Sequence, residues 1–170
     1  MRLRDYITSI PDFPEKGVTH KDITTVLQDP HAFHRAIDEM YEQILGIDFD
    51  VLVGTESRGF IFGTPLAYKS YKPFVLARKP GKLPRKTISE TFDSEYGQST
   101  LEMQADAIKA GQKAIIVDDL LAKGDTSKAV ANLVERLGGK VIQMNFLIEL
   151  KEYNGRKNLS QYRIESVVKF

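Results

Sequence analysis

Two adjacent carboxylates, Asp118 and Asp119, directly follow the apolar run Ala114-Ile-Ile-Val117. Neighbouring residues of a strand point to opposite sides, so one carboxylate can face a ligand while the other supports the loop that follows. Carboxylates accept hydrogen bonds from vicinal hydroxyls, which suits a ribose. The pair therefore indicates a sugar-binding position near the end of a strand.

The loop after these acids has the features of an anion site. It consists of Ala122, Lys123, Gly124, Asp125 and Thr126 and leads into a predicted helix. Its backbone N–H groups and the helix N-terminus can bind an anion, and Thr126 adds a hydroxyl donor. Acids for a sugar followed by a phosphate loop indicate a ribose 5-phosphate site. A strand, an Asp-capped turn and a helix without any ligand would give the same residues, so both interpretations stay open.

A second segment with possible chemistry is Val53-Gly-Thr-Glu-Ser-Arg-Gly-Phe60, which connects a predicted strand to a predicted helix. Backbone amides at such a turn can bind an anion, and the guanidinium of Arg58 offers a fork of donors to a phosphate. The alternative is a turn bounded by glycines, with Arg58 on the surface.

The segment KPGKLPRKTISETFDSEYGQST, residues 79–100, is polar and rich in turn formers, and its charges follow no helical register. A loop of this length inside a compact domain is usually functional or disordered. We therefore predict a mobile flap or hairpin over a site, at about residues 79–103.

The remaining pattern predicts the elements that must position these groups. Apolar runs predict strands at residues 49–54, 73–78, 114–117 and 140–150. Helical spacing predicts helices at residues 1–10, 29–45, 59–71 and 126–139, the second of them capped by Asp29. Alternating strands and helices favour an α/β fold with a mainly parallel central sheet, in which ligands bind beyond the carboxyl ends of the strands.

Composition limits the other possibilities. Apolar residues make up 42% of the 170 residues and charged residues 28%, which fits a single globular domain over residues 1–170. The formal net charge of +1 gives no reason to expect nucleic-acid or membrane binding. The chain has no Cys and only three His, so a thiolate or His-rich metal site is not expected. Without an apolar run long enough for a signal or membrane segment, we expect a cytoplasmic protein.

The strand, acids and loop at residues 114–126 resemble the phosphoribosyl pyrophosphate motif of type I phosphoribosyltransferases. That family usually has Thr and Gly where this chain has Lys123 and Asp125. Lys123 can help to bind the 5-phosphate, whereas the carboxylate of Asp125 would repel it. We expect Asp125 to point outward or to cap the following helix.

The turn at residues 53–60 is similar to the pyrophosphate loop of the same family. The resemblance implies pyrophosphate binding by Glu56, Ser57 and Arg58, with a cis peptide bond between Glu56 and Ser57.

The flap is the most specific feature, because its two segments Arg78–Pro84 and Thr87–Gly97 together resemble the adenine phosphoribosyltransferase branch. The resemblance implies pyrophosphate contacts from Arg78, Lys79 and Lys82, and Arg78 in the family can reach a partner's site in a dimer. It implies that Glu95 and Tyr96 close over the substrates and that Glu95 handles the proton of the purine.

The segment PDFPEKGVTHKDIT, residues 11–24, resembles the adenine-recognition hood of that branch, here at about residues 1–28. The resemblance assigns adenine binding to Thr19, His20 and Lys21. His20 stands where the family usually has a Phe that stacks on the base, and Lys21 stands where it usually has an Arg.

The resemblance implies a homodimeric, Mg²⁺-dependent purine salvage enzyme that converts adenine and phosphoribosyl pyrophosphate to AMP and pyrophosphate. Glu95, Tyr96 and Arg58 are its expected catalytic residues. The substrate would supply most ligands of the Mg²⁺, so no protein metal site is expected. Two alternatives stay open: a transferase for hypoxanthine, guanine or xanthine, and a non-catalytic nucleotide sensor.

Overall fold

The computed structural model describes residues 1–94 and 97–170. Its strands are β1 (Thr8–Ile10), β2 (His20–Asp22), β3 (Val51–Thr55), β4 (Phe74–Ala77), β5 (Thr87–Ser94), β6 (Gly97–Gln104), β7 (Lys113–Leu121), β8 (Lys140–Glu149) and β9 (Ile164–Lys169). Its helices are α1 (Thr24–Leu27), α2 (Pro30–Glu42), α3 (Arg58–Ser70), α4 (Asp125–Arg136) and α5 (Gly155–Asn158). Short 3₁₀ turns lie at Leu3–Tyr6 and Lys151–Tyr153.

The central sheet has five strands in the order β4-β3-β7-β8-β9, and every pair in it is parallel. Its central strands β3 and β7 are largely buried, because helices cover both faces of the sheet. One core lies between the sheet and α2 and α3, and a second lies on the opposite face beneath α4. The predicted α/β class with a mainly parallel sheet is confirmed.

Two small antiparallel pairs stand outside this sheet. The first, β1 with β2, lies within the segment predicted to be the hood. The second, β5 with β6, is the hairpin predicted for the flap. Leu101 and Met103 of the hairpin are buried in the α4 core, and Arg136 of α4 is 3.1 Å from Glu90 of β5. The base of the hairpin is therefore fixed to the helix that begins at the phosphate loop.

Three differences from the sequence-based prediction have physical causes. The helix predicted at residues 1–10 is wrong: a 3₁₀ turn buries Leu3, and Thr8–Ile10 pairs with β2. Strand β7 does not end before the acids, because β8 continues alongside it and pairs Asp118 with Phe146. Strand β9 was not predicted, since its pattern is only partly apolar at an edge of the sheet.

No helix among the described residues is long and apolar enough to span a bilayer.

The cap predicted for α2 is confirmed, since Asp29 accepts a hydrogen bond of 2.8 Å from the backbone N–H of Ala32.

Candidate active site

A cavity of about 700 Å³ lies beyond the carboxyl ends of β3, β4 and β7. It is lined mainly by residues of the predicted phosphate, pyrophosphate and flap segments: Glu56, Ser57, Arg58, Arg78, Lys79, Lys82, Asp118, Asp119, Ala122, Lys123, Gly124, Asp125 and Thr126. Segments far apart in sequence therefore meet at one edge of the sheet, where parallel α/β folds bind ligands.

A wider groove of about 800 Å³ runs along α2 and is lined largely by charged side chains of that helix, such as Asp38 and Glu42. Among the described residues, its lining includes none of the predicted phosphate, pyrophosphate or flap residues. We therefore assign the candidate site to the cavity at the ends of the strands.

The two acids have different surroundings within this cavity. Asp119 is buried, and its carboxylate accepts a 2.6 Å hydrogen bond from Nε of Arg58. Asp118 borders the cavity, but the dense protein around it raises the pKa of its carboxyl well above the usual range, and the charge of Asp119 adds to this effect. Arg58 is therefore bonded to Asp119 rather than to Asp118.

Gly59 allows the start of α3 to approach β7 closely. A Cβ at this position would lie 2.9 Å from the carbonyl oxygen of Val117 and 3.1 Å from Oδ1 of Asp118. These distances leave no room for a side chain, so the glycine is what brings Arg58 within reach of Asp119.

The turn between β3 and α3 has the predicted cis peptide bond between Glu56 and Ser57. The carboxylate of Glu56 accepts a hydrogen bond of 2.6 Å from Nε of Arg78 and lies 3.4 Å from the backbone N–H of Lys79. The turn and the start of the flap are therefore joined within one chain. Whether Arg78 also serves a partner's site stays a prediction.

The phosphate loop reaches α4 through Gly124, whose φ of +86° lies in the left-handed region that favours glycine. Asp125 is the first residue of the helix and does not cap it; its Oδ1 accepts a 3.0 Å hydrogen bond from Nδ2 of Asn158. Lys123 is exposed at the rim of the cavity. Asn158 was missed by sequence reasoning, because it is 33 positions away from Asp125 and belongs to no motif.

The flap contributes Lys82 and Ser94 to the cavity lining, and Ser94 was not predicted. The carboxylate of Glu102, also missed, accepts a 2.9 Å hydrogen bond from the N–H of Gly81. The predicted catalytic residues Glu95 and Tyr96 lie outside the described residues.

The predicted adenine-binding residues Thr19, His20 and Lys21 do not line this cavity. The ring of His20 lies 5.3 Å from the ring of Phe13, at an angle of 59°. Nζ of Lys21 is 2.7 Å from Oγ of Ser9 and 4.2 Å from the centre of the Phe170 ring. The side chain of Lys21 is thus engaged within the protein, and base recognition by the hood stays a prediction.

No group of three or more His, Asp or Glu side chains within residues 1–94 and 97–170 could hold a metal ion. The carboxylates that line the cavity are those of Glu56, Asp118, Asp119 and Asp125, and hard oxygen ligands are those that Mg²⁺ prefers.

The sequence matches a family model described as a phosphoribosyl transferase domain over residues 24–170. It is 55% identical over 168 residues to an adenine phosphoribosyltransferase of Agathobacter rectalis, covering 99% of this chain and 97% of the relative. The crystal structure of the adenine phosphoribosyltransferase of Thermoanaerobacter pseudethanolicus is similar, with a TM-score of 0.96, 49% identity and coverage of 99% and 98% of the two chains.

A more distant structural match is the adenine phosphoribosyltransferase of Saccharomyces cerevisiae, in complex with an imino-altritol bisphosphate and adenine. Its TM-score is 0.90 at 36% identity, with 97% of this chain and 96% of the yeast chain covered. The similarity therefore extends over nearly the whole of both chains.

Proposed function

Because this chain belongs to the phosphoribosyltransferase family, and within it to the adenine phosphoribosyltransferases, we propose that it catalyses purine salvage by joining adenine to phosphoribosyl pyrophosphate. The products are AMP and pyrophosphate. The observation that carries the proposal is the single cavity at the strand ends, where an acid pair, a phosphate loop and several cations converge.

The cavity divides into parts that suit the parts of the sugar substrate. Asp118 and Asp119 accept hydrogen bonds from the ribose hydroxyls, and the loop at residues 122–126 binds the 5-phosphate through its N–H groups. Lys123 adds a positive charge at the rim.

The cationic part of the cavity suits the pyrophosphate. Arg58, Arg78, Lys79 and Lys82 place four cationic side chains along the cavity. As pyrophosphate leaves, C1 of the ribose becomes oxocarbenium-like and negative charge grows on the leaving group. Cations fixed in advance stabilise that charge without rearrangement. Mg²⁺, when bound, would supply positive charge that neutralises part of the charge on the leaving group. The carboxylates of Asp118 and Asp119 fit such an ion as oxygen donors.

The base side of the reaction rests on the resemblance of the hood and flap. Glu95 removes the N9 or N7 proton of the purine as it attacks C1, and the flap with Tyr96 excludes water. His20 stacks on the base, and Thr19 and Lys21 flank it. Nζ of Lys21 already contacts Oγ of Ser9 and the ring of Phe170, so the backbone groups of Lys21 are the better candidates for base recognition.

A homodimer is also part of the proposal. Tyr68 and Tyr71, at the end of α3, are 87% and 95% exposed. Large exposed aromatic side chains are enriched in protein interfaces, so this surface suits a second copy of the chain. The cytoplasmic location expected from the sequence stays a prediction.

A spectrophotometric assay with Mg²⁺ and phosphoribosyl pyrophosphate tests the proposal, with adenine, hypoxanthine, guanine and xanthine offered in parallel. Conversion of adenine alone is expected, and chelation of Mg²⁺ should abolish it. Conversion of an oxopurine instead would overturn adenine as the substrate and make His20 the first residue to exchange. Binding of AMP without turnover of any base would overturn the proposed enzyme activity and favour a nucleotide sensor.

A further inference from the structure

The phosphate loop is supported from behind by residues 154–159, which we call the C-terminal turn. Nδ2 of Asn158 donates to the carbonyl oxygen of Lys123 and to Oδ1 of Asp125, each at 3.0 Å. One amide group therefore holds the loop both by its backbone and by the side chain that begins α4.

The carboxylate of Asp125 needs such a partner. A negative side chain in the first turn of a helix stabilises that helix, but the same helix terminus is the anion site of the cavity. A carboxylate directed at a bound phosphate dianion would repel it. The hydrogen bond from Asn158 holds Oδ1 of Asp125 on the side of the C-terminal turn.

The C-terminal turn is itself firmly fixed. Arg156 forms two hydrogen bonds to the carboxylate of Glu149 in β8, of 2.6 and 3.0 Å, and a third of 3.1 Å to the carbonyl oxygen of Ile164. The side chain of Arg156 thus anchors the turn to two strands of the central sheet.

The turn also packs directly against the loop backbone. A Cβ on Gly155 would lie 2.4 Å from the carbonyl oxygen of Ala122, and the side chain of the buried Leu159 lies 3.0 Å from where a Cβ on Gly124 would be. The contact leaves no space between turn and loop. A change in the turn must therefore be transmitted to the loop.

We propose that Asn158 is a positioning residue for the phosphate loop. It fixes residues 123–125 so that the N–H groups of the loop face a sugar phosphate and the carboxylate of Asp125 does not. The identity of the ligand, a ribose carrying a 5-phosphate, rests on the proposed function.

The test compares wild type with Asn158→Ala, using ribose 5-phosphate binding by calorimetry and the KM values of both substrates. We expect Asn158→Ala to weaken ribose 5-phosphate by about tenfold, as for the loss of one hydrogen bond to a charged group. The KM of phosphoribosyl pyrophosphate should rise similarly, while the KM of adenine stays the same. Lys157→Ala, an exposed position of the same turn, is the matched control and should bind as wild type does.

A second set of variants separates positioning from simple support of the fold. Asn158→Asp places a carboxylate against the Lys123 carbonyl and Asp125, with only partial compensation from Nζ of Lys128, which lies 3.5 Å from Oδ1 of Asn158. This variant should bind ribose 5-phosphate more weakly than wild type. The double variant D125N/N158D exchanges the two side chains, restores a donor to the pair and should recover part of the affinity. In the Asp125→Gly background, Asn158→Ala should have less effect because no carboxylate remains to be held.

Three outcomes would overturn the proposal: unchanged ribose 5-phosphate affinity in Asn158→Ala, equal loss for adenine and phosphoribosyl pyrophosphate, or no rescue by D125N/N158D. The wild-type protein distinguishes failure of the proposed function from failure of this proposal. If only the proposed function is wrong, wild type binds ribose 5-phosphate but converts no purine. If wild type does not bind ribose 5-phosphate, both proposals are wrong.

Discussion

Arg58 and Asp119 are 61 positions apart, yet Nε of Arg58 lies 2.6 Å from the carboxylate of Asp119. The two side chains differ in environment, since that of Asp119 is 8% exposed and that of Arg58 is 52% exposed. The bond uses one of the five N–H donors of the guanidinium, which leaves the others for an anion in the cavity. One ion pair thus joins the ribose side of the site to the pyrophosphate side.

The first prediction concerns this pair. Arg58→Ala should lower kcat by about 100-fold, because a fixed donor to the developing charge is lost. It should also lower the free energy of unfolding by about 1–2 kcal/mol, since the buried Asp119 loses its partner. Steady-state kinetics and urea denaturation measure the two effects.

Arg163→Ala is the matched control, because Arg163 is an exposed arginine paired with Glu165. It should leave both kcat and stability nearly unchanged. A kcat of Arg58→Ala within threefold of wild type would exclude a role for Arg58 in stabilising the leaving group.

The second prediction follows from the raised pKa of Asp118. The folded protein binds this proton more tightly than the unfolded chain does, so ionisation of Asp118 reduces stability as pH rises above the ordinary value of 3.8. Asp118→Asn should therefore raise the free energy of unfolding of the ligand-free protein at pH 7, by about 1 kcal/mol. The gain should vanish below about pH 3, where the unfolded carboxyl also keeps its proton.

Chemical denaturation of wild type and Asp118→Asn at both pH values measures this difference in stability. The enzymatic activity of Asp118→Asn should be lower than that of wild type. Lower stability of Asp118→Asn at pH 7 would mean that the carboxylate is well satisfied in its charged form, contrary to the burial argument.

The motifs were accessible to sequence reasoning because their geometry is local. A strand, a turn with Gly59 and a helix place Arg58 at the strand end whatever the rest of the chain does. The residues that complete the site were not accessible in this way. Asn158 reaches Asp125 only because α5 folds against the loop, and its own neighbours in sequence do not indicate this contact.

In the N-terminal segment, the sequence pattern predicted a helix that the structure does not contain. Its apolar residues, including Leu3 and Ile7, have helical spacing, but the partner strand β2 makes residues 8–10 extended. A periodic pattern over ten residues cannot distinguish a helix from a turn followed by a strand, because the pairing partner lies elsewhere in the chain.

The third prediction concerns the anchor of the C-terminal turn. Hydrogen bonds from Arg156, then from Ser166, hold the pKa of the buried Glu149 below its usual range. Glu149 therefore contributes stability above its unfolded pKa, and this contribution is lost as pH falls. Arg156→Gln should lower the free energy of unfolding by about 1–2 kcal/mol at pH 7, with a smaller difference from wild type near pH 4.

Chemical denaturation at the two pH values tests this prediction, with Arg163→Gln as the control for loss of an exposed arginine. An equal difference from wild type at both pH values would show that Arg156 acts through packing rather than through the charge of Glu149.

The last prediction joins the hood to the end of the chain. The ring of Phe170 contacts two cations, with Cζ of Arg4 at 4.1 Å and Nζ of Lys21 at 4.2 Å from its centre. Cation–π contacts of this kind contribute about 0.5–1 kcal/mol each at exposed sites. Phe170→Ala should therefore loosen β2, where Lys21 follows His20, and raise the KM of adenine several-fold at constant KM for phosphoribosyl pyrophosphate. Phe170→Trp keeps an aromatic face and should behave as wild type. Equal increases of both KM values in Phe170→Ala would show that the ring has no specific role in adenine binding.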